Sequence, residues 1–218
     1  MPLCDSMLCD FSFQILTAID FLHSHGIVHR DCKLENVVVM TQAGDTVLKL
    51  IDLGFSDYFD VTGQNLLQDF CGSPDYAAPE LLHRNPYGPA VDVWAFGVML
   101  FLMATGEFPF STPEFISRMD YRWPVQSKVS DFVKQIISDL FVKSDIRCSS
   151  QNLLKSEWFA GMREKRLENM RHQQEIDFKV IAKMAEFGFD EDDVMRALLS
   201  GAHNQMTTTY YLYKGKTD

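Results

Sequence analysis

One segment constrains the fold of this chain more than any other: residues 29–36 read HRDCKLEN and lead into four apolar residues, Val37 to Met40. Asp31 and Asn36 are five positions apart, so a bend in the loop lets the carboxylate and the amide face one ligand. Phosphoryl transfer needs such groups, because a carboxylate can accept the proton of an attacking hydroxyl and an amide oxygen can bind Mg²⁺. Lys33 lies between them and could neutralise charge on a phosphate. A solvated charged loop is the alternative interpretation.

A second acidic segment, Asp52-Leu53-Gly54, begins sixteen residues after Asn36. It comes directly after Val47 to Ile51, an apolar run that is typical of a buried strand. Residues 41–45 separate the two apolar runs, contain a glycine and predict a turn. The sequence therefore predicts a β-hairpin with Asn36 at its start and Asp52 at its end. This hairpin would place two oxygen ligands for Mg²⁺ side by side.

Two further motifs lie downstream and complete an ordered set. Cys71 to Glu80 reads CGSPDYAAPE, and Asp92 to Gly97 reads DVWAFG, which fits the pattern D-x-W-x-x-G. Together with HRDCKLEN and the Asp-Leu-Gly segment, this order closely resembles the serine/threonine protein kinases. The CGSPDYAAPE block looks like the AMP-activated kinases and the microtubule-affinity-regulating kinases. The resemblance covers nearly all of residues 11–215.

The resemblance implies a role for each residue of the loop and hairpin. Asp31 would be the catalytic base, and Lys33 would contact the phosphate of ATP, as in the serine/threonine branch of the family. Asn36 and Asp52 would be the Mg²⁺ ligands, so the implied cofactors are Mg²⁺ and ATP. The family usually has Phe where Leu53 stands, so the ring area that packs at this position is reduced.

Residues 56–70 resemble an activation segment, which in relatives carries a phosphorylated threonine two positions before the cysteine. That position here is Asp69. One hypothesis is that Asp69 partly mimics the phosphate by facing Arg30, and the other is that it is an ordinary loop acid. Ser73 matches a position that shapes the pocket beside the base, although a turn serine would also fit there.

Five residues match positions that support the kinase site. Glu80 and Arg147 correspond to a buried ion pair that holds the activation segment to the lobe. Asp92 corresponds to an aspartate that hydrogen-bonds the backbone of the catalytic loop, where His29 and Arg30 are the supporting residues. The resemblance therefore predicts that Asp92 has a structural role rather than a chemical one.

Glycine spacing excludes a glycine-rich phosphate loop within this sequence. The first glycine is Gly26, and no two glycines are closer than nine positions, so no G-x-G-x-x-G occurs. The twenty-eight residues before His29 are also too few for a five-stranded lobe. We therefore expect a kinase C-terminal lobe without the ATP-cradling N-terminal lobe. Such a chain would be a fragment of a longer protein, or it would work without conventional ATP binding.

The C-terminal part of the sequence predicts a separate helical module. The charged residues 162–174 predict a solvated helix or linker. The acidic Asp190 to Asp193 is typical of a helix start, and Asn204 can cap a third helix. Apolar residues at helical spacing predict the first helix: Ile176, Val180, Ile181 and Met184. Three helices and the loop Phe187-Gly188-Phe189 resemble a ubiquitin-associated domain, which could bind ubiquitin or, as we favour, dock on its own kinase domain.

Composition limits the classes of partner and the cellular compartment that we expect for this chain. The net charge of −10 argues against nucleic acid or an anionic membrane as a partner. Five cysteines without C-x-x-C spacing favour a reducing compartment, so we expect the cytoplasm, with the nucleus as an alternative. The longest apolar run, residues 93–104, has the length of a buried helix rather than of a membrane span.

The predicted fold class is mainly α. Residues 1–161 would form the kinase C-terminal lobe with its small hairpin, 162–174 a linker, and 175–215 the ubiquitin-associated-like module. The first functional hypothesis is transfer of the ATP γ-phosphate to serine or threonine of protein substrates. The alternative is a catalytically inactive kinase remnant that binds proteins or regulators, and the sequence leaves both open.

Overall fold

The computed structural model describes residues 2–42, 45–60, 66–125, 127–166, 177–199 and 205–215. The chain divides into two compact units, residues 1–162 and 163–218. Both are mainly helical where they are described, as the sequence predicts, and the described strands belong to the first unit. Most of the predicted linker, from residue 167 onward, lies outside the described residues.

The first unit is a set of helices with two small antiparallel sheets. Three 3₁₀ turns, Leu34–Asn36, Pro74–Tyr76 and Glu157–Phe159, interrupt its loops. Its last three residues, 160–162, begin a helical segment that continues to residue 166. In chain order its elements are α1 (Asp5–Ser24), β1 (Ile27–Val28), β2 (Val37–Gln42), β3 (Asp45–Leu50), β4 (Asp57–Tyr58), α2 (Pro79–Leu82), α3 (Ala90–Thr105), α4 (Pro113–Arg118), α5 (Asp131–Leu140) and α6 (Ser150–Leu154).

Helix α1 precedes strand β1 and the loop that begins at His29. Apolar residues at intervals of three and four bury one side of it, including Leu8, Ile15 and Ile19. The helix ends where Gly26 adopts a positive φ of 72°, a conformation that glycine takes without a side-chain clash. Strand β1 and the loop follow immediately.

The predicted hairpin is present as β2 and β3. The two strands pair antiparallel, with Val37 opposite Leu50 at one end and Gln42 opposite Asp45 at the other. The centre of the predicted turn, residues 43–44, lies outside the described residues. Helix α1 packs on this hairpin. One contact between them is the hydrogen bond that the Gln14 side chain accepts from the backbone N–H of Leu48 at 2.9 Å.

Helix α3 is the centre of the core. It is apolar on nearly all sides and almost completely buried, as expected of a helix enclosed by other elements. A Cβ atom at Gly97 would lie 3.0 Å from Phe141 and 3.1 Å from Leu140, so glycine permits the close approach of α5 and the residue after it. In the described part of the chain, no helix combines the length and apolar character needed to cross a membrane.

The second unit contains three described helices around its own small core. These are α7 (Phe178–Ala185), α8 (Glu191–Leu199) and α9 (Gln205–Lys214). The Asp177 carboxylate caps α7 by accepting from the N–H of Lys179, while its own N–H donates to the Tyr210 hydroxyl at 2.7 Å. Ile176 and Asn204, which the sequence assigns to this module, lie outside the described residues. The core consists of Val180, Ile181, Met184, Val194 and Tyr210.

Candidate active site

Asp31 lies at the centre of a closed group of three side chains. Its Oδ1 accepts hydrogen bonds from the backbone N–H and the hydroxyl of Ser73, each at 2.9 Å. Its Oδ2 lies 2.7 Å from the Lys33 Nζ, which also donates to the Ser73 Oγ at 2.8 Å. The 3₁₀ turn at Pro74 thus brings Ser73 to the catalytic loop, although forty-two residues separate it from Asp31.

The electrostatics of this group keep Asp31 ionised. Burial by itself would raise the pKa of the Asp31 carboxyl, but hydrogen bonds from Lys33 and Ser73 outweigh burial and the net shift is downward. The hydrogen bond to Asp31 raises the pKa of Lys33. Both groups therefore carry charge at neutral pH. An ionised carboxylate beside an ammonium group can orient a hydroxyl and stabilise an adjacent phosphate.

Asn36 is folded back against Asp31. Its Nδ2 donates to the Asp31 backbone carbonyl at 2.9 Å and to Oδ2 at 3.2 Å. The backbone N–H of Ile51 donates to the Asn36 carbonyl at 2.8 Å, so the start and the end of the hairpin lie next to each other. The predicted juxtaposition of Asn36 with the segment that begins at Asp52 is therefore present.

Asp52 is solvent-exposed and has a positive φ of 65°, and its Oδ1 accepts from the N–H of Gly54 at 3.1 Å. The Asn36 Oδ1 and the Asp52 carboxylate are hard oxygen donors and fit Mg²⁺, which keeps waters and substrate phosphate oxygens as its other ligands. The described residues contain no group of three or more His, Cys, Asp or Glu that could hold a metal. An open two-residue site of this kind would depend on phosphate to complete the coordination.

The Asp92 carboxylate at the start of α3 holds the catalytic loop. It accepts from the backbone N–H groups of His29 at 2.8 Å and Arg30 at 2.9 Å, and both the carboxylate and His29 are buried. The φ of Arg30 is 69°, which is costly for a residue with a side chain and has to be held by such contacts. The His23 Nε2 also contacts Asp92 at 2.9 Å, and sequence reasoning missed this residue.

Arg30 is held by Asp57 and not by Asp69. Its Nη2 lies 3.4 Å from the Asp57 carboxylate, and its Nε donates to the Phe55 carbonyl. No ion pair joins Arg30 to Asp69 in the part of the chain that the structure describes, so the predicted phosphate-mimicking contact does not form here. The reason is topological: β4, which carries Asp57, pairs with β1 directly before the catalytic loop.

Tyr87 connects Arg30 to the activation segment. Its hydroxyl accepts from the Arg30 Nη1 at 3.4 Å and donates to the backbone carbonyl of Asp69 at 2.6 Å. Backbone hydrogen bonds between Leu67 and Tyr87, at 2.8 and 2.9 Å, add a short bridge. The sequence holds no local signal for this contact, because it depends on where the chain returns after α2.

We expect Tyr87→Phe to loosen the activation segment while leaving its backbone bridge in place. One lost hydrogen bond is worth about 1 kcal/mol, so cleavage by a protease within residues 66–71 should become about fivefold faster. Tyr211→Phe removes a hydroxyl from an exposed ring in the second unit and is the matched control. Equal cleavage rates in the two variants would contradict the role of the Tyr87 hydroxyl.

Glu80 and Arg147 form the buried ion pair that the resemblance implies. The Arg147 Nη1 and Nη2 lie 2.7 and 3.3 Å from the two Glu80 carboxylate oxygens. Arg147 also donates to the backbone carbonyls of Ala90 and Val142, at 2.8 and 2.7 Å, and its guanidinium lies 4.9 Å from the Trp94 ring centre. The pair thus joins α2, the start of α3 and the segment directly after α5.

The contact between Tyr76 and Glu35, beside the site, was also not predicted from the sequence. The Tyr76 hydroxyl donates to the exposed Glu35 carboxylate at 3.1 Å, which ties the 3₁₀ turn after Ser73 to the catalytic loop. Burial, together with the nearby Glu35 charge, raises the pKa of Tyr76, so its hydroxyl stays a donor.

Apolar side chains are exposed around the hairpin. We call them the hairpin patch: Val38, Val39, Met40, Ile51, Leu53 and Phe55. Val39 is 62% exposed and Leu53 is 55% exposed, and exposed apolar side chains of this kind can mark an interaction surface.

Comparison with known proteins agrees with this geometry. The protein kinase domain family matches residues 4–159. SNF1-related protein kinase catalytic subunit alpha KIN12 of Arabidopsis thaliana is 31% identical over 211 residues, which cover 91% of this chain and 41% of that protein. Hormonally up-regulated neu tumor-associated kinase homolog B of Xenopus laevis is 32% identical over 219 residues, covering 94% and 34%.

Calcium/calmodulin-dependent protein kinase type 1B of Homo sapiens is also similar. It is 38% identical over 157 residues, which cover 68% of this chain and 45% of that protein. The chain thus spans less than half the length of each of these three relatives.

Proposed function

This chain belongs to the protein kinase family, and from that membership we propose that it serves as the catalytic lobe of a serine/threonine protein kinase. The reaction is transfer of the ATP γ-phosphate to a serine or threonine hydroxyl of a protein substrate. The observation that carries the proposal is the closed group of Asp31, Lys33 and Ser73, with contacts of 2.7–2.9 Å. The charges of this group and its closeness to Asn36 suit phosphoryl transfer. A loop with a purely structural role would not require them.

In the proposed mechanism Asp31 accepts the hydrogen bond of the substrate hydroxyl and finally its proton. Ser73 and Lys33 hold the carboxylate in one orientation, and Lys33 stabilises charge on the transferred phosphate. Asn36 Oδ1 and the Asp52 carboxylate would hold Mg²⁺. That ion would neutralise phosphate charge when bound.

The ATP-cradling lobe would come from residues outside this sequence. The 218 residues contain no G-x-G-x-x-G, and the relatives are more than twice as long as the matched region. The hairpin patch supports this proposal, because an apolar surface beside the phosphate site suits burial against another lobe. The same patch also supports the alternative, a binding module without phosphoryl transfer, so activity has to be measured.

The deciding experiment is transfer of labelled phosphate from Mg-ATP to a generic serine/threonine protein substrate. The purified chain is assayed alone and with the glycine-rich lobe of a relative added. We expect transfer in the second arm. Absence of labelled product in both arms would contradict the kinase proposal and favour the binding module.

Replacing Asp52 with asparagine tests the metal site. Loss of a carboxylate ligand should raise the Mg²⁺ concentration for half-maximal transfer by at least about tenfold. Asp45→Asn, at the opposite end of the hairpin, removes the same charge from an exposed position and should leave the Mg²⁺ requirement unchanged. An unaltered requirement in the Asp52 variant would show that this carboxylate is not a ligand.

We also propose ubiquitin as a ligand of the second unit, because this unit has an exposed loop that could bind it. We propose a ubiquitin-associated-like fold for α7, α8 and α9, supported by their separate core. Phe187 is 62% exposed next to Gly188, whose φ is 89°. Titration of the full chain with ubiquitin should shift the NMR signals of residues 187–189, and Phe187→Ala should abolish the shifts. Unshifted signals in the unaltered protein would exclude ubiquitin binding at this loop.

A further inference from the structure

The hairpin of β2 and β3 has two outer edges, and helix α1 closes the edge that belongs to β3. The Gln14 side chain accepts from the Leu48 N–H at 2.9 Å, and its Nε2 donates to the Thr46 carbonyl at 3.1 Å. One carboxamide thus satisfies a donor and an acceptor of the strand, as a neighbouring strand would. Because α1 also packs along β3, this edge is not open to another strand.

The register of the hairpin shows which backbone groups of β2 point away from β3. In an antiparallel pair, residues that bond the partner strand alternate with residues whose N–H and C=O point outward. The Ile51 N–H donates to the Asn36 carbonyl at 2.8 Å, and the register continues from this pair to Val38 opposite Lys49. The even-numbered residues of β2 therefore bond β3, and residues 37, 39 and 41 point their backbone groups outward.

The outer edge of β2 is open. Within the described residues β2 pairs only with β3, and no other backbone group bonds the N–H of Val39 or Thr41. The N–H of Val37 differs, because it donates within the preceding 3₁₀ turn. The strand is also accessible, since Val39 is 62% exposed and Val38 and Met40 are 39% and 42% exposed. An open apolar edge of this kind can pair with another strand.

The composition of the edge suits a second copy of the same strand. Residues 36–44 contain neither a charge nor a proline, although the chain has a net charge of −10. The edge therefore lacks the residues that commonly keep strand edges apart. Two copies arranged antiparallel about Val39 would place Val38 opposite Met40 and Val37 opposite Thr41. Apolar and β-branched side chains opposite each other stabilise such a pair.

We propose that the open edge of β2 pairs antiparallel with the same edge of a second copy of this chain. The Val39 N–H of each copy donates to the Val39 carbonyl of the other, and the Thr41 N–H of each donates to the Val37 carbonyl of the other. The product is a closed two-fold dimer, because α1 covers the remaining edge of each hairpin. This dimer does not depend on phosphoryl transfer, so it is independent of the proposed function.

Analytical ultracentrifugation of the purified full chain over a range of concentrations tests whether the dimer forms. We expect the mass to rise from 25.0 kDa toward twice that value as the concentration increases. A mass of 25.0 kDa at every concentration would overturn the proposal.

Amide hydrogen exchange tests whether the dimer forms through this edge. The amides of Val39 and Thr41 should exchange more slowly as the fraction of dimer rises, because they gain an acceptor. The amides of Val38 and Met40 bond β3 in both forms and are the internal control. Unchanged exchange of Val39 and Thr41 in the dimer would overturn the strand pairing.

A proline at position 39 removes an outward donor and leaves the bonds between β2 and β3 in place. Each copy loses one hydrogen bond in Val39→Pro, so the dissociation constant of the dimer should rise about thirtyfold. Val39→Thr keeps the N–H and the β-branched shape, and as the matched control its dissociation constant should stay within about threefold. If the circular dichroism of Val39→Pro is not native, Val39→Lys replaces it, because a charge on the edge should also prevent pairing.

A variant elsewhere in the hairpin patch separates strand pairing from association through apolar side chains. Ile51 belongs to the patch, but its N–H bonds Asn36 and not the open edge. Ile51→Lys should leave the dissociation constant of the dimer unchanged. Loss of the dimer in Ile51→Lys but not in Val39→Pro would overturn the proposal.

A strand from a different protein is the other possible occupant, and the exchange measurement detects it. If the unaltered chain stays monomeric and only an added extended apolar peptide slows exchange of the Val39 amide, the edge binds a partner strand and the proposed dimer is wrong. None of these measurements uses ATP. They therefore decide the role of the edge whether or not the chain transfers phosphate.

Discussion

Asp31→Asn should lower the rate of phosphate transfer by about 10²- to 10⁴-fold, the usual contribution of a positioned general base. Asparagine keeps the shape of aspartate, so its Oδ1 can still accept from Ser73. It cannot take the substrate proton, and it loses the charge that faces Lys33 at 2.7 Å. The measurement is initial rate of label transfer from Mg-ATP, with the glycine-rich lobe supplied.

A matched control and a folding check make this result decisive. Asp75→Asn removes an exposed carboxylate two residues after Ser73 and should leave the rate near that of the unaltered protein. Near-ultraviolet circular dichroism of the Asp31 variant should be native, so that a lost rate reports chemistry. Full activity in Asp31→Asn would rule out Asp31 as the base.

Arg147→Met should lower the free energy of unfolding of the first unit by about 3–5 kcal/mol, because the Glu80 charge would stay buried without its partner. The Ala90 and Val142 carbonyls would also lose a donor. Urea unfolding followed by tryptophan fluorescence measures this unit selectively, since all three tryptophans, at positions 94, 123 and 158, belong to it.

A double variant separates the cost of an unpaired charge from the loss of packing. Glu80→Leu combined with Arg147→Met removes both charges and should be more stable than Arg147→Met alone. Lys134→Ala breaks the exposed pair with Asp131 and should change the unfolding free energy little. An Arg147→Met protein as stable as the unaltered one would show that the pair does not hold the activation segment to the core.

Much of the site could be predicted because its residues lie close together in sequence. Asp31, Lys33 and Asn36 share one loop, and the apolar runs on either side of residues 41–45 predict the hairpin that brings Ile51 to Asn36. Such features depend on side-chain alternation and turn formation, which act over a few residues. The contacts of Asp92 and Arg147 were expected only from the resemblance to protein kinases.

Other contacts could not be predicted, because they join segments far apart in sequence. Asp57, rather than Asp69, pairs with Arg30 because β4 pairs with β1, and nothing in the local pattern of either two-residue strand announces that pairing. Tyr87 reaches Arg30 only after the chain has passed through α2.

The sequence by itself determined the family, the mainly helical class, the hairpin and the set of polar residues that share the loop at residues 29–36, because these follow from residue types at short, fixed spacings. The tertiary structure alone decided which carboxylate forms the ion pair with Arg30 and which groups surround His23. Those outcomes depend on how α1, α3 and α6 pack, since hydrogen bonds and ion pairs require distances near 3 Å that only the folded core sets.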